Sequence, residues 1–157
     1  MLHIVDDEEV IRDSLAWLAQ SRGLPARGYA GGQEFLDALQ DLDVSGDCVL
    51  LDVRMPGMNG IAVFDDLIKR GLLPRLPVIF LTGHGDVPMA VDSLKRGAFD
   101  FFEKPFNDNQ LMDRVEEALA ASRKAAASAG VQARLATLSA REREVLDLIL
   151  AGMMNKV

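Results

Sequence analysis

Short apolar runs recur along this chain, and each of four stops on polar residues. Leu2-His3-Ile4-Val5 runs into Asp6-Asp7, Cys48-Val49-Leu50-Leu51 into Asp52, Val78-Ile79-Phe80-Leu81 into Thr82, and Phe99-Asp100-Phe101-Phe102-Glu103 into Lys104-Pro105. Runs of this length and composition predict buried strands, strand five included. Helical patterns lie between them. Residues 9–22 place Val10, Leu15, Trp17 and Leu18 near helical spacing, and Gly23 ends the segment. Residues 33–40 predict a short helix with Phe35, Leu36 and Leu39 on one face, and residues 61–69 a third helix. Residues 87–96 predict a fourth, with Asp86 as N-cap, Pro88 in the first turn and Gly97 closing it. Asn107 predicts the cap of a fifth helix, with Gln110 at the capping-box position. Residues 25–29 read as a weak second strand. Strands alternating with helices argue for βαβ units, hence a doubly wound α/β fold with a five-stranded parallel sheet in order 2-1-3-4-5.

Composition narrows the picture. The chain has 157 residues and 49% hydrophobic content, enough for one ordinary domain and a small appendage. No apolar stretch approaches the roughly 18 residues of a spanning helix. The first apolar run passes directly into Asp6-Asp7-Glu8-Glu9, unlike a signal peptide. A cytoplasmic protein without a membrane partner is expected. The single Cys48 reads as a small core residue. The net charge of −7 is unevenly spread: residues 1–119 carry 11 Lys+Arg against 21 Asp+Glu, and residues 120–157 carry 6 against 3. The acidic part is not expected to bind nucleic acid alone, whereas the basic tail could do so within something larger. Residues 118–129 are rich in Ala and Ser and end at Gly130, which reads as either a helical extension or a linker. Ser139-Ala140-Arg141-Glu142 forms a second capping box before an amphipathic stretch with Val145, Leu146, Ile149 and Leu150.

Ligands of open parallel sheets bind beyond the carboxyl ends of the strands. Asp6, Asp7, Asp52, Thr82 and Lys104 should therefore converge. Two like charges at about 4 Å cost about 4 kcal/mol at an effective dielectric of about 20. Either carboxylate pKa values rise or a cation offsets the charge. Lys104 offsets part of it, and Mg²⁺, which takes hard oxygen ligands and keeps several waters, suits the remainder. Such a half-open site can accept phosphoryl oxygens, with a carboxylate as the attacking group.

This order of residues at strand ends resembles the receiver domain of two-component response regulators, over about residues 2–120. Residues 81–91, LTGHGDVPMAV, and 97–106, GAFDFFEKPF, are similar to the FixJ group of the FixJ/NarL family. The resemblance implies a flavodoxin-like (CheY-like) fold and Asp52 as phosphoacceptor. It implies that Asp6, Asp7, Asp52 and the backbone carbonyl of Arg54 bind Mg²⁺ or Mn²⁺, Asp7 directly and Asp6 directly or through water. Lys104 would contact the phosphoryl group, with a cis bond to Pro105. Thr82 would swing its hydroxyl to the phosphate, and Phe101 would be the rotating aromatic. Gly83 keeps the path to Asp52 open, and His84 at most tunes dephosphorylation. Implied partners are a sensor histidine kinase and a second copy of the chain, docked through the face of helix four, strand five and helix five. Chemistry would be limited to metal-dependent self-phosphorylation from a donor and slow autodephosphorylation.

The tail from Leu138 to Leu146, with residues 151–156, resembles the opening of a LuxR-type helix-turn-helix domain. The expected organisation is a receiver at 1–120, a linker or helix extension at 121–137, and a truncated helix-turn-helix start at 138–157. The recognition helix is missing, so promoter DNA is expected as a partner of a longer protein only.

Taken singly, each residue has a plainer explanation. Asp6-Asp7 could be a charge pair at a helix N-terminus, Asp52 a turn residue, Thr82 structural, Lys104-Pro105 an ordinary loop and Phe101 core. The joint pattern outweighs these. A haloacid-dehalogenase-like phosphatase would want a second Asp where Arg54 stands. A module acting only through protein partners is opposed by the basic tail with its capping box. Flavin binding lacks a Ser/Thr/Gly-rich phosphate loop after strand one.

Overall fold

The computed structural model describes residues 1–83 and 85–137. His84 and the tail with its helix-turn-helix resemblance lie outside the described residues. Five strands, β1 (Leu2–Val5), β2 (Ala26–Tyr29), β3 (Cys48–Asp52), β4 (Val78–Thr82) and β5 (Asp100–Glu103), alternate with five helices: α1 (Glu9–Ser21), α2 (Gly32–Ala38), α3 (Gly60–Lys69), α4 (Val87–Lys95) and α5 (Asp108–Thr137). The sheet is parallel in order β2-β1-β3-β4-β5, as the pattern predicts.

The apolar runs are continuous because the central strands are covered on both faces. Successive side chains alternate between two cores. Val5, Val49, Leu51, Val78 and Phe80 pack with Phe35, Val63, Phe64 and Leu67 of α2 and α3. Leu2, Ile4, Cys48, Leu50, Ile79 and Leu81 pack with Leu15 and Ala19 of α1 and with Leu111, Met112 and Val115 of α5. Cys48 is buried, and its thiol is pushed up to about 12 by that burial. Among the described residues, no helix is long and apolar enough to cross a membrane.

Several expectations change. Strand five lies at an edge, so Phe101 and Phe102 are half-buried rather than enclosed. Helix α1 buries Leu15 and Ala19 and leaves Val10 and Trp17 exposed. Val10 and Trp17 stand two turns apart on one stripe, roughly opposite the buried one, and spacing alone cannot say which stripe faces the sheet. Helix α2 ends at Ala38 and tightens into a 3₁₀ turn at Leu39–Asp41. Asp86 precedes α4, but its side chain makes no cap bond. Helix α5 resolves the open choice at 118–129 in favour of helix, and Gly130 does not end it. One interior glycine costs only about 1 kcal/mol, which an Ala-rich helix sustains. Asn107 caps α5 as expected, its Oδ1 accepting from the Gln110 amide at 3.0 Å.

At the amino end of the sheet lies a polar cluster that the apolar reading of β1 passed over. The fully buried His3 places Nδ1 3.0 Å from the Tyr29 hydroxyl and Nε2 2.8 Å from Asp47. The Met1 ammonium donates to the other Asp47 oxygen at 2.6 Å. Burial holds the imidazole below its ordinary pKa, outweighing the attraction of Asp47. These contacts suit a neutral ring that donates from Nε2 and accepts from Tyr29 at Nδ1.

Candidate functional site

The opposite end of the sheet collects the polar strand ends. Asp52 closes β3 and Thr82 closes β4, while Asp6 and Lys104 stand one residue past β1 and β5. Parallel pairing in this register brings them together: Asp52 lies opposite Leu81, and Thr82 opposite Glu103. The Lys104 amide donates to the Thr82 carbonyl at 2.8 Å, and the Lys104-Pro105 bond is cis, as expected.

One carboxylate oxygen each from Asp6, Asp7 and Asp52 lies within 4.8 Å of the others. Asp6 and Asp52 are buried, and Asp7 is exposed. Asp6 Oδ1 accepts from the Glu8 amide at 2.9 Å, which turns the chain into α1. Arg12 reaches back from α1 to donate to the Asp6 carbonyl at 2.7 Å. Lys104 Nζ stands 3.4 Å from both Asp6 Oδ2 and Asp52 Oδ1. Charge-assisted bonds usually close to about 2.7–2.9 Å, so the ammonium bridges the two carboxylates without closing on either.

Three carboxylates against one ammonium leave the pocket negative. Burial, and next the charge of Asp6, push the Asp52 carboxyl up to about 6; Lys104 opposes this without cancelling it. Burial works against the Lys104 charge, but Asp52 and Asp6 outweigh it and raise the ammonium pKa. A set of hard oxygen donors with surplus negative charge, one of them open to solvent, fits a divalent cation.

The β3–α3 connection presses helix α3 against β3. The Gly60 amide donates to the Val53 carbonyl at 2.9 Å, and a Cβ at Gly60 would collide with the Asp52 carbonyl oxygen. Asn59 then caps α3 by accepting from the Ala62 amide at 2.8 Å. Gly60 is not singled out by the sequence analysis; an Asn-Gly pair directly before an amphipathic stretch was the available signal. Thr82 is fully buried, and its hydroxyl reaches the Phe102 carbonyl only at 3.5 Å, a weak bond that is easily exchanged. Phe101 packs against the rim of the α2–α3 core.

The Arg54 side chain pairs with a carboxylate outside this cluster: Nε donates to Asp86 Oδ2 at 2.9 Å. That partnership, between residues 32 apart in sequence, was not foreseen, because Asp86 read as a helix cap.

A family model for the response regulator receiver domain matches residues 2–116. The chain is 53% identical over 161 residues to the C4-dicarboxylate transport transcriptional regulatory protein DctR of Rhodobacter capsulatus, covering 99% of this chain and 80% of that one. It is 43% identical over 162 residues to the transcriptional regulatory protein FixJ of Bradyrhizobium diazoefficiens, covering 99% and 76%. Among solved structures, the response regulator StyR superposes with a TM-score of 0.78 at 33% identity, over 99% of this chain and 78% of that one.

Proposed function

This chain belongs to the response regulator receiver family, with FixJ-type transcriptional regulators among its relatives, and on that footing we propose that Asp52 accepts a phosphoryl group from a partner histidine kinase. The observation that carries this reading is the buried Asp52 carboxylate beside the Lys104 ammonium and the Asp6 and Asp7 carboxylates. An Asp52 oxygen attacks phosphorus, the P–N bond of the donor's phosphohistidine breaks, and the electron pair leaves on the imidazole nitrogen. The product is an acyl phosphate. Lys104, held as an ammonium, receives a phosphoryl oxygen. Asp6, Asp7, Asp52 and the Arg54 carbonyl would hold Mg²⁺ or Mn²⁺. When bound, that ion supplies positive charge to the transferring oxygens.

The Thr82 hydroxyl exchanges its long bond to Phe102 for a phosphoryl oxygen, and Phe101 turns into the space released. This remodels the face of α4, β5 and α5, which then pairs with a second copy. Moving the equilibrium from 1:99 to 99:1 takes about 5.5 kcal/mol of differential stabilisation, a scale within reach of several charge-assisted bonds to one phosphoryl group. In this reading the chemistry is self-phosphorylation from a donor and slow autodephosphorylation. Residues 1–120 are then the receiver, 121–137 a helical connector, and 138–157 belong with a LuxR-type domain of the kind that binds promoter DNA. The setting is cytoplasmic, where promoter DNA is.

Exposed Val10 and Trp17 offer the kinase a face. A groove of about 590 Å³ lined by Ile11, Trp17, Leu18 and Phe106 adjoins a hollow that Ile11 and Phe106 share with Lys104. Trp17→Ala should slow transfer from a kinase and leave transfer from acetyl phosphate unchanged; equal slowing of both would remove that face from the account. The main test is incubation with acetyl phosphate and Mg²⁺ followed by intact mass. A gain of one phosphoryl group that needs Mg²⁺ and is lost in Asp52→Asn is expected. An equal gain in Asp52→Asn would overturn the assignment.

A further inference from the structure

We infer that the Arg54–Asp86 ion pair is a tie on helix α4 that phosphorylation of Asp52 breaks, the phosphoryl group drawing the Arg54 guanidinium away from Asp86. The inference rests on the acceptor role proposed for Asp52 and adds a second route from the pocket to α4, separate from Thr82 and Phe101.

Four observations carry it. Asp86 sits directly before α4, where a carboxylate ordinarily caps the helix, yet its side chain makes no cap bond and accepts instead from Arg54 Nε at 2.9 Å. The pair is lopsided: the Asp86 side chain is 6% exposed and that of Arg54 is 77% exposed. The buried anchor is therefore on the α4 side, and the exposed partner follows Asp52 by two residues. The Asp86 backbone ties the same point into both neighbours, its amide donating to the Gly83 carbonyl and its carbonyl accepting from Ala90, each at 3.1 Å. Finally, Arg54, Asp86 and Met89 line one open cleft of about 470 Å³ with Val53 and Asn59, which leaves the guanidinium room to swing.

The competition favours phosphate. The Asp86 carboxylate carries one negative charge, whereas the acyl phosphate that replaces the Asp52 carboxylate carries roughly −1.5 to −2 and offers three strong acceptor oxygens. The planar guanidinium fork matches phosphate oxygens bidentately. Its departure leaves the buried Asp86 without that cation at the first turn of α4. Loosening there reaches Met89 and Val91, which are already partly exposed.

Hydrogen exchange across α4, read by mass spectrometry on the whole chain with and without acetyl phosphate and Mg²⁺, tests this. In the unphosphorylated state, Asp86→Asn and Arg54→Gln should each speed exchange over residues 87–95 on the order of tenfold, and the double variant no further than either alone. Phosphorylation should speed the same segment in the native sequence and add little in Asp86→Asn. Arg54→Gln alters an exposed side chain and serves if Asp86→Asn fails to fold. An α4 that exchanges at the native rate in unphosphorylated Arg54→Gln overturns the tie. So does an equal response to phosphorylation in native chain and variants. Intact mass on the same samples separates the two levels: a phosphoryl gain with no α4 response overturns the tie alone, and no gain in the native chain overturns the acceptor reading with it.

Discussion

The two ends of the sheet each bury a polar cluster, and they are built to opposite standards. At the amino end, His3, Tyr29 and Asp47 close on one another at 2.8–3.0 Å, and the Met1 ammonium balances Asp47. At the carboxyl end, three carboxylates face one ammonium that stands 3.4 Å from two of them. The same strands make both ends, so strand packing does not explain the difference. A satisfied cluster holds the fold in register. A cluster left with surplus charge and long contacts is chemically unfinished, and in the proposed reading a cation and a phosphoryl group complete it.

That contrast can be broken or sharpened by substitution. The largest effect is expected at Lys104: Lys104→Gln should slow phosphoryl gain from acetyl phosphate by about 100-fold, the scale of losing one donor to developing charge. A mass time course reads this, and a change under threefold would remove Lys104 from the chemistry. Asp47→Ala should do the reverse, costing about 2 kcal/mol in urea unfolding because a buried His3 donor loses its acceptor, with phosphoryl gain retained. Loss of phosphorylation there would mean the two ends are not separable.

Asp52→Asn carries the opposite sign on stability. The Asp52 carboxyl has its pKa raised to about 6 in the fold, so its charge opposes folding at higher pH, and removing it should stabilise the protein in chelator by about 1–2 kcal/mol. A destabilised variant would mean that the carboxylates are already well compensated.

The smallest effect is a pH slope. The His3 pKa is lowered by folding, so the unfolded chain binds more protons, and this contribution is complete above about 6.5 and is lost as pH falls through the folded value. The native chain should therefore lose stability relative to His3→Gln on acidification, by under about 1 kcal/mol between pH 7 and 6. A relative gain would indicate an imidazolium–Asp47 pair instead.

The carboxyl end was legible in sequence because its chemistry stands at strand ends, where an apolar run stops on Asp52, Thr82 or Lys104. A parallel sheet followed from the alternation of strands and helices, and its order from the flavodoxin-like topology that five such pairs suggest. The amino end was not legible: His3 sits inside an apolar run, and its partners Tyr29 and Asp47 are 26 and 44 residues away. The Arg54–Asp86 pair hid behind a plausible cap, since an Asp before a helix has the same appearance whether it bonds its own backbone or a distant guanidinium. Val10 and Trp17 kept helical spacing on the stripe that the sheet does not cover. In each case the missing information was a tertiary neighbour, which local periodicity does not carry.

The most direct test of the central claim is to locate the bond. The chain is phosphorylated with acetyl phosphate and Mg²⁺, reduced with borohydride and mapped by peptide mass spectrometry. An acyl phosphate on Asp52 predicts homoserine at that position and at no other. Reduction at Asp6 or Asp7, or a stable phosphoryl group on His3 at the opposite end of the sheet, would contradict the account.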